Sequence, residues 1–60
     1  MSAVYNPEAD VVAEIERLEL DARDLRRRLE RVRNGEDRRV LERQLREAEE
    51  DIARLQERLA

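Results

Sequence analysis

Two groups of side chains in this chain could in principle do chemistry. The acids Glu19, Asp21, Glu49 and Asp51 come as two pairs, each pair spaced two residues apart. An oxygen-only set of this kind would suit a hard divalent cation. The run 23-RDLRRRLERVR-33 holds six arginines in eleven residues. Guanidinium groups at that density can grip phosphates or an acidic protein. The candidate anion-binding face is Arg23, Arg27 and Arg31, continued past the middle of the chain by Arg38 and Arg39.

Both groups also have an ordinary explanation. Acidic flanks are common beside helical seams, so no metal or other cofactor is expected. Asp24 and Glu30 interrupt the arginine run, and Tyr5 is the chain's single aromatic, which leaves no platform for base stacking. A solvated, salt-bridging face is the preferred reading. The chain has no Cys, His, Lys or Thr, and its one serine is Ser2. Nucleophilic and imidazole–metal chemistry therefore have no candidate residues, and no glycine-rich phosphate loop exists. Neither an enzyme nor a small-molecule substrate is expected.

Whatever positions these groups must be small. Sixty residues allow one domain, 1–60, with a limited core. Charged residues make up 48% of the chain, yet the net charge is only −3, which does not mark a globally basic nucleic-acid binder. All thirteen basic residues are arginine, which points to a GC-rich genome. No apolar run approaches the ~18 residues of a membrane span, and the first residues lack a signal-peptide core. The expectation is a cytoplasmic protein with no membrane partner.

Composition this charged can signal disorder, but periodicity argues otherwise. After a tail over 1–6, Asn6-Pro7-Glu8 reads as a helix start: an N-cap, proline at the first helical position, and an acid in the first turn. Apolar residues then recur at Val11, Ile15, Leu18, Ala22, Leu25, Leu29 and Val32, in steps of four and three. A second run, Leu41, Leu45, Ala48, Ile52, Leu55 and Leu59, repeats the rhythm with Arg38 in the preceding seam slot. This is an a/d heptad seam on two helices, expected over 7–33 and 37–59.

The two runs are out of phase by two residues. Along one continuous helix, the second stripe would be rotated about 200° from the first, so a straight rod is disfavoured. In an antiparallel pair each a faces a d, and facing positions share a constant sum. They do: Val11 with Leu59, Ile15 with Leu55, Leu18 with Ile52, Ala22 with Ala48, Leu25 with Leu45, Leu29 with Leu41, and Val32 with Arg38. The symmetry point is Gly35, and Asn34-Gly35 is expected to supply the permissive backbone of a turn over 34–36. The predicted fold is all-α, an antiparallel two-helix coiled-coil hairpin.

A lone hairpin leaves one side of its seam open to water, so pairing into an antiparallel four-helix-bundle homodimer is expected. Residues 22–46 carry ten arginines against five acids, whereas 1–21 and 47–60 carry −5 and −3. Folding places the acidic segments together at the open end, so two hairpins would pair with their turns at opposite ends. The flanks add to this expectation: Asp21 should face Asp51, Glu19 should face Glu49, Arg26 should meet Glu42, and Glu14 should meet Arg58. A weaker apolar stripe, Ala9, Val12, Ala13 and Leu20 with Ala53, is a candidate second interface.

The combination of hairpin, heptads and mid-chain turn resembles the Rop family of small plasmid regulators, which dimerise as paired hairpins. The likeness is one of architecture and implies the same mode of pairing; no motif carries a functional residue across. Function is expected to be interaction: a self-associating scaffold that binds another protein. The alternatives are a nucleic-acid-associated regulator that uses the arginine-rich half, and an antitoxin or phage accessory factor that folds on its partner.

Overall fold

The structure, a computed structural model, describes residues 6–60. Most of the tail expected over 1–6 thus lies outside the described residues. Helix α1 spans Pro7–Arg31 and helix α2 spans Gly35–Leu59. The two pack against each other as a helical hairpin.

Each helix begins as its local chemistry dictates. Asn6 is extended at φ −120°, and its Oδ1 accepts from the Glu8 and Ala9 amides at 3.1 and 3.4 Å. Pro7 follows as the first helical residue, where its missing N–H costs nothing. Asn34 repeats the device for α2: its Oδ1 accepts from the Glu36 and Asp37 amides at 2.7 and 3.3 Å. Acids fill both first turns, Glu8 and Asp10 in α1, Glu36 and Asp37 in α2, where the N-terminal dipole favours them.

The connection departs from expectation in two ways. Helix α1 stops at Arg31 rather than 33, and the non-helical residues are Val32, Arg33 and Asn34 rather than 34–36. Gly35 is the first residue of α2, with φ in the ordinary negative range. Glycine's left-handed freedom is therefore unused. The physical reason lies in the caps. Val32 is extended at ψ 138° and Asn34 at ψ 129°, so two β-region residues reverse the chain without a left-handed one. The Val32 amide closes the last turn of α1 onto the Arg28 carbonyl at 3.0 Å.

The grooves of the hairpin display the register. Near the connection, Arg28, Arg31 and Val32 share one with Asp37, Val40 and Leu41. At mid-length Glu19, Ala22 and Arg26 share one with Glu49 and Ile52. At the open end Glu14 lies beside Asp51, Leu55 and Arg58. Among the described residues, the two helices form a single layer with a seam between them.

Candidate interaction surface

Burial follows the seam. Ile15, Ala22 and Ala48 are the buried residues, at 7, 2 and 8% exposure. Val11, Leu18, Leu25, Leu29, Val32, Leu41, Leu45, Ile52 and Leu55 are half-buried. Leu59, the thirteenth apolar seam residue, is exposed, because it ends α2 at the open end with no further layer to cover it. Apart from Ile15, the large seam side chains thus keep an edge in water, while the small alanines at the middle are covered by their neighbours.

Polar flanks border this seam on both sides. One flank carries the b and e heptad positions, with Glu19, Arg23 and Arg26 on α1 and Arg46 and Glu49 on α2. The other carries the g and c positions, with Asp21 and Asp24 on α1 and Glu47 and Asp51 on α2.

The flanking acids do not stand as the linear pairing suggests. Arg26 Nη2 donates to Glu49 Oε2 at 2.8 Å, so Glu49 meets a cation rather than Glu19, and Arg26 does not take Glu42. Asp51 is paired by Arg54 one turn along its own helix, rather than confronting Asp21 alone. Glu14 pairs with Arg17 at 3.5 Å, not with Arg58. Arg28 Nε meets Asp24 Oδ2 at 3.1 Å, an i,i+4 pair on the surface of α1. Among the described residues, no group of three or more acids is placed to hold a metal ion.

The five arginines of the candidate anion face are exposed but do not share one face. Arg23 and Arg39 occupy b positions, Arg27 the outer f position, and Arg31 a c position. Arg27 and Arg31 share a shallow groove with Arg28 and Asp24, whose charges already compensate one another. Arg38, the polar member of the seam, donates through Nη2 to the Val32 carbonyl at 3.3 Å. It satisfies one of the carbonyls left open at the end of α1, a role invisible in a heptad count.

The candidate second stripe divides as well. Val12 is 43% exposed and Leu20 60%, and Ala9, Ala13 and Ala53 are exposed. Ala9, Val12 and Ala53 belong to the b/e flank near the open end, whereas Ala13 and Leu20 lie on the outer back of α1. Sequence reasoning passed over Val40, which is 50% exposed beside Val32 and Leu41. Its c position lies outside the a/d count, which is why the heptad did not mark it.

Among the described residues, no helix is long and apolar enough to cross a membrane. No protein-family model, curated protein or solved structure matches the chain.

Proposed function

We propose that this chain is a small, non-catalytic interaction protein whose hairpin pairs with a second copy of itself and offers its remaining surface to another protein. One observation carries the reading. The apolar seam runs the length of the hairpin, yet in a single layer of two helices ten of its thirteen apolar residues are only partly covered.

A single-layer hairpin carries more surface for its size than a compact fold, which leaves area for a partner. The charge distribution supports the same reading, because a basic connection end and an acidic open end are complementary between antiparallel copies.

The nucleic-acid reading has less support. The arginines that would grip a phosphate backbone lie on three sides of the hairpin, and Arg38 is engaged with the Val32 carbonyl. The proposal is tested by the mass in solution, from light scattering or sedimentation, across protein concentration and salt. A dimer at micromolar concentration that weakens as salt rises is the expected result. A well-folded monomer throughout that range refutes it.

A further inference from the structure

The geometry points to the b/e flank as the face on which the second copy docks, turns at opposite ends, with the two-fold axis through the Ala22–Ala48 layer. This rests on the self-association proposed above and adds to it which of two faces is used and which residues meet.

The two faces differ most at the centre, where a two-fold axis brings like residues together. On the g/c face the residues nearest the Ala22–Ala48 layer are Asp21, Asp24, Glu47 and Asp51. Asp24 and Asp51 carry Arg28 and Arg54, but among the described residues no ion pair stands on Asp21 or Glu47, so doubling that face would gather four uncompensated carboxylates about the axis. The b/e face at the same level carries Glu19 and Glu49 together with Arg23, Arg26 and Arg46. Mixed signs can interlock where a single sign repels.

The order of those charges also selects the antiparallel arrangement. An axis perpendicular to the helices lays α1 over α1 of the partner subunit, with heights inverted about the Ala22 level. Glu19 is three residues to one side of that level and Arg26 four to the other, so Glu19 meets Arg26 of the partner subunit, twice by symmetry. Arg46 comes level with Glu49 of the partner subunit. With the turns at the same end, α1 would instead lie over α2 of the partner subunit, setting Glu19 on Glu49 and Arg23 on Arg46.

Shape agrees with charge. A shallow groove on this face is lined by Glu19, Ala22, Arg23, Arg26, Glu49 and Ile52. Its floor is the small Ala22 side chain, so side chains from a second hairpin can settle at the layer the axis crosses. The half-buried Ile52 lines it and gains cover from that contact.

The chain's lack of cysteine makes the test direct. The wild-type mass is measured first. Single-cysteine variants Glu49→Cys, on the b/e face, and Asp21→Cys, on the g/c face, are then oxidised mildly. Each position is one residue from the central layer, so in the matching dimer its two copies come within disulfide reach, about 4.4–6.8 Å between Cα atoms. A wild-type dimer in which Glu49→Cys crosslinks at least tenfold faster than Asp21→Cys is the expected result. A dimer in which Asp21→Cys links faster, or both link alike, or neither links, overturns the face and leaves self-association standing. A monomeric wild type removes both.

Discussion

Arg26 is bonded to Glu49 across the hairpin, its Nη2 donating to Oε2 at 2.8 Å, although the antiparallel register sets Arg26 closer in height to Glu42. The reason is the tilt of helical side chains toward their own N-terminus. Arg26 leans toward the open end and Glu49 toward the connection, so the two converge. Glu42 leans away. The same tilt carries the Arg38 side chain past the first turn of α2 onto the Val32 carbonyl.

Both members of the Arg26–Glu49 pair are about half exposed, so its coupling should be modest. A double-mutant cycle with Arg26→Ala and Glu49→Ala in urea unfolding is expected to give about 0.2–1 kcal/mol, shrinking as salt is added. Coupling with Glu42 in place of Glu49 would contradict the geometry.

The connection separates two adjacent residues that sequence reasoning treated as one turn. Asn34→Ala removes the acceptor for the Glu36 and Asp37 amides and should cost about 1 kcal/mol. Gly35→Ala should be neutral, or stabilising by up to ~1 kcal/mol, because φ is ordinary and a Cβ meets open space. Thermal melts of the two variants should therefore move in different directions. A loss at Gly35 as large as that at Asn34 would show the glycine to be needed after all.

Arg38 braces the end of α1 from the opposite helix. Arg38→Ala leaves the Val32 carbonyl to water and should cost about 0.5–1.5 kcal/mol. Hydrogen exchange offers a local readout: the Val32 amide, bonded to the Arg28 carbonyl, should lose protection more than amides at mid-helix. Uniform loss along α1 would argue for a global effect instead.

Burial ranks the seam. Ile15→Ala removes a side chain only 7% exposed and should cost about 2–5 kcal/mol, while Leu59→Ala, at 38% exposure, should cost about 1 kcal/mol or less. At the central layer, Ala22→Leu adds volume where exposure is 2% and should destabilise by about 1–3 kcal/mol through overpacking. Chemical denaturation of the three variants checks the order. Equal losses at Ile15 and Leu59 would mean that the open end is covered in solution.

The helices and their register are legible in the residues alone. An a/d repeat in steps of four and three fixes which face of each helix is apolar, and a two-residue phase shift cannot be carried around one continuous helix. The capping asparagines are legible too, because an Asn side chain at that position satisfies amides that no helical carbonyl reaches. Backbone periodicity and local hydrogen bonding are short-range, and sequence records both directly.

Only the tertiary structure decided the rest. Gly35 looks like a left-handed cap in a sequence, but whether a reversal needs one depends on the ψ angles of Val32 and Asn34, set by how the helices meet. Glu19 and Glu49 look like a repelling pair on a heptad diagram, which has no side-chain tilt and so cannot place Arg26 on Glu49. Arg38 looks like a seam defect until the Val32 carbonyl is seen beside it. Spacing along a chain says which residues share a face; direction and reach across the gap between helices say which of them touch.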